Sequence, residues 1–588
     1  MSDPAQQLDQ LTDELVVDND VMVPMRDGIR LRTDIFRPSG PGPYPVLVQR
    51  YPYTPHDGIM AMFGKMLARQ GYAVLVQSCR GRYGSEGDFY PFHPDVDDSY
   101  DTVEWAAVQP WSNGRVGMYG MSYSGYTQWT AAIARPPHLV AIAPFTCTWN
   151  WDESTWYFAP GVLQLGLAVS WSALMSTQEA ERRGMPAPVP QFAASEKLMS
   201  TGGLGDLSKF SEMARLEVEG TRTLLDRRPL RDVEELRELA PWFRDWCDQD
   251  DARAPYWRRI SAADHVQDID LPVFHLAGWY DFFAKGGIDA YTTLTNQGAT
   301  RRTREGQRLV IGPWNHNSAQ VRPDADPSTG ALVDFGPDAP VMRFFSHHLK
   351  GELPDYADEP RVRLYVMGDN VWREENEWPL ARTEWTSYYL RGADSLRSLS
   401  PQPPGEEQAD VFVYDPNDPV PGPVRLGATY GDAVDLDAVA HRPDVLVYTT
   451  PPLADELEVT GPVTLELWAS SSVADTDFTA KLVDVFPDGT AVPVCQGIVR
   501  TGHGVTQPRT LGAAYRYEIS LWSTSTVFQA GHRIRLDVSS SEYPTYEPNP
   551  NTGERITHAS DAKTVTATQH VFHDALHPSR LVLPVVPR

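Results

Sequence analysis

Val116-Gly117-Met118-Tyr119-Gly120-Met121-Ser122-Tyr123-Ser124-Gly125-Tyr126 decides how this chain folds. Apolar residues run into Gly120, Ser122 follows, and a helix-compatible run extends from Tyr126 to Ala134. This is the layout of a nucleophile elbow, in which a strand ends, the backbone turns sharply and a helix N-terminus stands behind an exposed serine. Small residues at 120, 124 and 125 let the backbone close without a Cβ clash. The usual pattern is G-x-S-x-G, and here Ser124 takes the place of the last glycine, which moves to Gly125. A surface turn rich in Gly and Ser is the competing reading, so the flanking sequence must arbitrate.

The flanks favour the elbow. Tyr44–Gln49, Tyr72–Gln77, Val116–Tyr119 and Leu139–Ala143 are short apolar runs, with a helical stretch from Ile59 to Gln70 between the first two. Such alternation predicts a largely parallel, doubly wound sheet covered on both faces. From about 146 to 265 the pattern becomes helical and rich in Trp, Glu, Arg and Leu, which predicts a helical cap insertion. Strand runs resume at Leu271–Gly278 and Arg308–Gly312, and a helix from about Val341 to Leu349 is expected to close the α/β unit. After about residue 355, segments such as Arg361–Val366, Val463–Trp468 and Arg533–Val538 alternate apolar and polar between Pro/Gly/Asp turns. That pattern predicts an antiparallel β-sandwich. The expected organisation is therefore α/β sheet over 1–145 and 266–354, cap over 146–265, and β-domain over 355–588. The polar, acidic residues 1–20 are expected to form a loosely held arm or short helix.

A serine nucleophile needs a base, and the base needs an acid that fixes its tautomer. In α/β-hydrolases the chain order is Ser, Asp or Glu, His. The first resumed strand ends in Gly278-Trp279-Tyr280-Asp281, and the second in Gly312-Pro313-Trp314-Asn315-His316. Both follow strand C-termini, where such sheets place their sites. Asp281 is assigned as the orienting carboxylate and His316 as the general base. An Asp after a strand is often only a helix cap, and most of the 15 histidines are expected to be structural, His275 in its strand and His347 and His348 on a helix among them. Three residues in the required order, each after an apolar strand, outweigh those alternatives. The oxyanion needs two donors. The Tyr123 N–H is one by elbow geometry. The H-G-G-G loop that usually supplies the second is absent, but the strand at Val46–Gln49 runs into Arg50-Tyr51-Pro52-Tyr53. The Tyr53 hydroxyl is a candidate there, with a packing aromatic as the alternative.

Composition narrows the class. A chain of 588 residues is too long for one core. With 41 % hydrophobic and 22 % charged residues it reads as soluble and globular. A net charge of −27 makes nucleic acid an unsuitable partner, because phosphate binding needs a basic face. The longest apolar run, Gly161–Met175, is interrupted by Gln164, Ser170 and Ser172, and is read as a buried helix rather than a membrane span. Cys79, Cys147, Cys247 and Cys495 show neither metal spacing nor a disulfide framework. With no signal peptide in view, a cytoplasmic location is expected. A homo-oligomer is left open, since the sequence does not set the oligomeric state.

Arg50-Tyr51-Pro52-Tyr53, Arg80-Gly81-Arg82-Tyr83-Gly84-Ser85-Glu86-Gly87, Gly120-Met121-Ser122-Tyr123, Gly278-Trp279-Tyr280-Asp281 and Gly312-Pro313-Trp314-Asn315-His316 together resemble the cocaine-esterase-like (CocE/NonD) members of the X-Pro dipeptidyl-peptidase group of α/β-hydrolases. The resemblance covers nearly the whole chain, and it implies a C-terminal jelly-roll. It also accounts for the glycine missing at 124, because the group's elbow commonly reads G-x-S-Y-x-G, and it implies an oxyanion role for Tyr53. Arg80–Gly87 is read as structural, a strand-end turn whose Arg and Glu tie loops together.

The resemblance implies three activities: cleavage of esters with an aromatic acyl group, hydrolysis or transfer of α-amino acyl esters, and release of X-Pro dipeptides. The last two need carboxylates near the reacting carbonyl to hold an ammonium group. Amino-acid ester hydrolases place acids just after the triad Asp, whereas this chain has Phe282-Phe283-Ala284-Lys285. By the same resemblance Trp156, Trp171 and Phe283 match the aromatic walls of a benzoyl pocket, with plain cap core as the alternative for the tryptophans. Asp152 and Glu153 would revive the peptidase reading if they entered the pocket. The expected function is a serine carboxylesterase for small-molecule esters, acting through an acyl-enzyme and needing no metal or organic cofactor. A loop near Arg425–Tyr430 of the jelly-roll is expected to approach the site. From another class, a catalytically silent glycan-binding protein stays open until Ser122 is tested.

Overall fold

The computed structural model describes residues 15–53, 58–151, 153, 155–200, 207–225, 227, 229–251, 253–316, 321–326, 329, 334–392, 397–424, 434–505, 509–555, 557–558 and 563–588. Its first layer is a ten-stranded sheet with strand order Leu15–Pro24, Arg30–Pro38, Ala73–Ser78, Tyr44–Tyr51, Ser112–Met121, Leu139–Phe145, Val273–Gly278, Gln307–Gly312, Val362–Val366 and Val371–Glu375. From Ala73–Ser78 to Val362–Val366 neighbouring strands run parallel, and the outer pairs are antiparallel. The central strands read as continuous apolar runs because helices cover both faces. Ala73–Ser78, Val273–Gly278 and Gln307–Gly312 are buried at every position. Helices Ile59–Arg69, Asp95–Ala107, Tyr123–Ala134 and Ala284–Gln297 supply that cover.

Between Leu139–Phe145 and Val273–Gly278 the chain leaves the sheet and builds the cap. Its longest described helices are Leu165–Arg182, Pro190–Ser200 and Leu207–Leu225, with a shorter one at Pro241–Asp248. A small hairpin, Tyr157–Ala159 with Val162–Leu163, precedes them. Leu165–Arg182 holds most of the apolar run and is buried along nearly its whole length. No described helix is long and apolar enough to cross a membrane.

The third unit is an eleven-stranded, almost entirely antiparallel sheet folded on itself around Leu465, Leu467, Phe478, Ile519, Leu536 and Leu581. Its strands alternate burial, as in Leu457–Ser471 and Tyr515–Phe528, because one face meets this core. It also grips the cap. Phe158 stacks on Trp522 at 4.2 Å, Arg500 donates to the Gly161 carbonyl at 2.7 Å, and Arg555 donates to the Cys247 carbonyl at 2.5 Å.

Two expectations need correction. The alternation of Arg361–Val366 predicts a β-domain strand, but Val362–Val366 pairs parallel to Gln307–Gly312, with Leu309 opposite Val362, and carries Val371–Glu375 outside it. The unit read as beginning at 355 therefore starts with two strands of the first sheet, and the second sheet begins at Glu384–Arg391. Alternation along a strand reports one half-covered face, which the margin of a mixed sheet and a sandwich strand share. The residues up to 20 do not form a wholly loose arm: Leu15–Pro24 is a strand paired with Arg30–Pro38, and residues 1–14 lie outside the described residues.

Candidate active site

Ser122 stands between strand Ser112–Met121 and helix Tyr123–Ala134 with φ 56° and ψ −122°. A non-glycine residue in this region is strained, and the strain persists only where neighbours over-determine it. Here the Ser122 N–H donates to the Phe145 carbonyl at 3.0 Å, and the Ser122 carbonyl accepts from the Gly125 and Tyr126 amides. The turn is crowded at two positions. A Cβ on Gly120 would lie 2.6 Å from the Ser124 Cβ, and one on Gly125 would lie 2.5 Å from the Cys147 Cβ. These contacts explain the shifted glycine. Residue 125, not 124, meets the neighbouring strand end, while Ser124 turns its hydroxyl to the Arg50 carbonyl at 2.8 Å.

Asp281 and His316 reach Ser122 from the two resumed strands. The loops that carry them are zipped together: Trp279 N–H donates to the Gly312 carbonyl at 2.9 Å and Tyr280 N–H to the Trp314 carbonyl at 3.1 Å. A Cβ on Gly278 would sit 2.2 Å from that Trp314 oxygen, so only glycine admits the approach. His316 Nδ1 lies 3.1 and 3.3 Å from the two Asp281 carboxylate oxygens, and its Nε2 lies 3.0 Å from Ser122 Oγ. A carboxylate only accepts, so Nδ1 carries the ring proton and Nε2 accepts from the serine hydroxyl. The Asp281 side chain is fully buried, and Oδ1 also accepts the Phe283 N–H at 2.7 Å. That second bond shapes the entry to helix Ala284–Gln297, so one carboxylate serves both the histidine and the turn. The imidazole is packed against Phe282, stacked at 4.4 Å, and Phe283, edge-on at 5.3 Å.

The other histidines weighed are structural. His275 is buried, bonds Gln307 at 2.9 Å, and is pushed down to about 4 by burial. His347 donates from Nδ1 to the Leu353 carbonyl, and burial holds His348 near 3.

The oxyanion candidates lie on two elements. Tyr123 opens its helix, so its amide is one of the four that an α-helix leaves without an intrahelical acceptor. The Tyr53 hydroxyl accepts the Trp171 indole N–H at 3.0 Å. Burial pushes its phenol up to about 12, so it stays protonated and able to donate. Its main chain is held from behind. Gln178 donates to the Tyr53 carbonyl at 3.0 Å, and the Tyr83 hydroxyl donates to it as well. Arg82 donates to Gln178 at 2.9 Å and lies 4.3 Å over the Phe89 ring. The Arg80–Gly87 turn thus ties loops, through Arg80 to Asp98 and Asp27 and through Glu86 to Arg30. It also braces Tyr53 through Arg82 and Tyr83, which the sequence did not disclose.

The aromatic candidates come together. Trp156 stacks on Trp246 at 4.1 Å and meets Trp171 at 5.4 Å. Trp171 lies parallel to Tyr123 at 6.2 Å. Trp171 therefore lies against Tyr53 and Tyr123, and Phe283 against His316, while Trp156 is one ring further away and only 3 % exposed. Glu153 is ion-paired to Lys285 at 2.6 Å, and Lys285 also binds Asp289. Burial works against the Lys285 charge, but Asp289 and Glu153 more than offset it and raise its pKa. Asp152 and the Arg425–Tyr430 segment lie outside the described residues. All four cysteines are free thiols, three of them buried.

Residues 27–318 match the X-Pro dipeptidyl-peptidase (S15 family) profile, and residues 354–582 match the X-Pro dipeptidyl-peptidase C-terminal non-catalytic domain. The chain is 37 % identical to the cocaine esterase of Rhodococcus sp. (strain MB1 Bresler), covering 97 % of this chain and 99 % of that one. Among solved structures it is similar to an aminopeptidase from the marine sediment archaeon Thaumarchaeota archaeon, with TM-score 0.79, 25 % identity and coverage of 98 % and 97 %. It is also similar to an α-amino acid ester hydrolase, with TM-score 0.74, 26 % identity and coverage of 97 % of both chains. The chain belongs to the cocaine-esterase-like branch of the X-Pro dipeptidyl-peptidase (S15) family of serine hydrolases.

Proposed function

We propose that this protein is a serine carboxylesterase for small esters with an aromatic or apolar acyl group, with Ser122 as nucleophile, His316 as base and Asp281 as its orienting acid. The observation that carries the reading is the unbroken chain Asp281–His316–Ser122, with contacts of 3.1 and 3.0 Å. His316 Nε2 takes the Ser122 proton as Oγ attacks the ester carbon. The Tyr123 N–H and the Tyr53 hydroxyl hold the oxyanion. As the tetrahedral intermediate collapses, the C–O bond to the alcohol breaks and the imidazolium returns its proton to the leaving oxygen. Water, deprotonated by the same nitrogen, then attacks the acyl-enzyme and frees the acid and Ser122.

Trp171, Trp156 and Phe283 are the acyl-binding surface on this reading, because flat apolar groups pack well against such rings. The pairing of Glu153 with Lys285 supports esters without an ammonium over amino-acyl substrates, since that carboxylate already has its cation. The free thiols support a cytoplasmic location, and the charge of −27 supports small-molecule rather than nucleic-acid partners. A fluorophosphonate tests the nucleophile. Intact mass should gain one adduct per chain, and Ser122→Ala should gain none. A wild-type chain that stays unlabelled would favour the glycan-binding alternative.

A further inference from the structure

Behind the two oxyanion donors lies a buried polar circuit that the catalytic steps do not use. Arg50, three residues before Tyr53, is 0 % exposed, and Asp95, Tyr123 and Ser124 are 3, 2 and 0 % exposed. Arg50 Nη1 donates to Asp95 Oδ1 at 2.8 Å, and the Tyr123 hydroxyl donates to Asp95 Oδ2 at 2.6 Å. The Ser124 hydroxyl donates to the Arg50 carbonyl at 2.8 Å. The main chain joins Tyr123 to Ser124, which closes the ring. One side of it is the strand that delivers the Tyr53 hydroxyl, and the other is the helix start that delivers the Tyr123 amide.

We propose that Asp95 and Ser124 are positioning residues that fix the spacing of the Tyr53 and Tyr123 oxyanion donors through this closed circuit. The proposal rests on the oxyanion assignment made above. Several features fit a locked geometry. Both Asp95 oxygens are engaged. The Tyr123 oxygen also accepts the Phe92 N–H at 3.0 Å. Arg50 is further fixed by Gln77 at 2.9 Å and Ser99 at 2.8 Å. Charged hydrogen bonds in a dry interior are strong and directional. A serine at 124 gains a function in this arrangement, since an alanine or glycine there would fill the turn but leave the Arg50 carbonyl without that donor.

The test uses Tyr123→Phe, which keeps the backbone amide, Ser124→Ala, their double variant, and Tyr53→Phe in parallel. For each, kcat and KM are measured with 4-nitrophenyl benzoate, together with affinity for benzeneboronic acid, which forms a tetrahedral adduct on the serine, and for benzoate. Tyr123→Phe and Ser124→Ala should each lower kcat and boronate affinity by roughly tenfold while benzoate affinity and KM stay within about twofold, since donor misplacement is felt in the tetrahedral state. Opening a ring once removes its constraint, so the double variant should lose little beyond the larger single loss. Unchanged kcat, equal losses for boronate and benzoate, or multiplying losses in the double variant would overturn the proposal. If Tyr53→Phe also leaves kcat and boronate affinity unchanged, the oxyanion assignment itself fails. If Tyr53→Phe is impaired and the other two are not, the circuit alone fails.

Discussion

The two halves of the site are held in different ways. Ser122, Tyr53 and Tyr123 come from elements within the first 134 residues, and their supports come from the same part of the chain and from the cap: Arg50, Asp95 and Tyr83, with the cap residues Trp171 and Gln178. Asp281 and His316 come from strands that follow the cap, and their surroundings lean on the β-domain. The Trp279 indole donates to the Tyr365 carbonyl at 2.8 Å, and the strand that carries Tyr365 is tied onward by Val527 N–H to the Met367 carbonyl at 2.8 Å. Arg322, six residues beyond His316, is paired at 2.9 Å with Asp484 of the β-domain, and the two side chains are 2 and 0 % exposed. The nucleophile half is thus braced by its own sheet and the cap, whereas the base half borrows its bracing from the β-domain.

That contrast can be broken from its chemical end first. Asp281→Asn should lower kcat by about 10⁴-fold with little loss of fold, because the amide cannot hold His316 in the required tautomer. Single-turnover kinetics on 4-nitrophenyl benzoate would measure it. Tyr53→Phe should cost about 10²–10³-fold in kcat, the usual range for one oxyanion donor. A loss below twofold would return Tyr53 to the status of a packing aromatic. Asp484→Asn should weaken the β-domain contact of the buried Arg322, which keeps Asp324 as its charge partner, and destabilise the chain by about 1–3 kcal/mol, read as a shift in the urea midpoint. An unchanged midpoint would show that the base half does not depend on this brace.

The smallest expected effect concerns Glu196, on cap helix Pro190–Ser200, whose carboxyl burial pushes up to about 7. Its ordinary value is 4.5. Between these values the folded state binds the proton more readily than the unfolded one, so this group's contribution to stability falls as pH rises from 4.5 to 7. Glu196→Gln should flatten that slope and make the variant the more stable chain at pH 8. Denaturation midpoints at pH 5 and pH 8 would check it, and an unaltered slope would count against the assignment.

The candidate site was legible in the sequence where it is carried by contiguous patterns. The elbow at Ser122 and the strand ends at Asp281 and His316 each announce themselves within a few residues, and the parallel sheet follows from its fully apolar strands. What escaped depends on distant partners. Nothing near Tyr53 reveals that Gln178, 125 residues away, will hold its carbonyl. Glu153 cannot be judged until Lys285 is seen beside it. Val362–Val366 has the alternation of a sandwich strand, and only its parallel pairing with Gln307–Gly312 assigns it to the first sheet. Trp171 was read as a pocket wall, yet its indole also occupies a lone pair of the Tyr53 hydroxyl and leaves that O–H free to donate.

The most direct test of the central claim compares hydrolysis of 4-nitrophenyl benzoate with that of alanyl-prolyl 4-nitroanilide, with Ser122→Ala as the blank. The account predicts ester turnover that the substitution abolishes and negligible anilide cleavage. Efficient anilide cleavage by the wild-type chain would contradict it, because an acid other than the Lys285-paired Glu153 would then be holding the substrate amine.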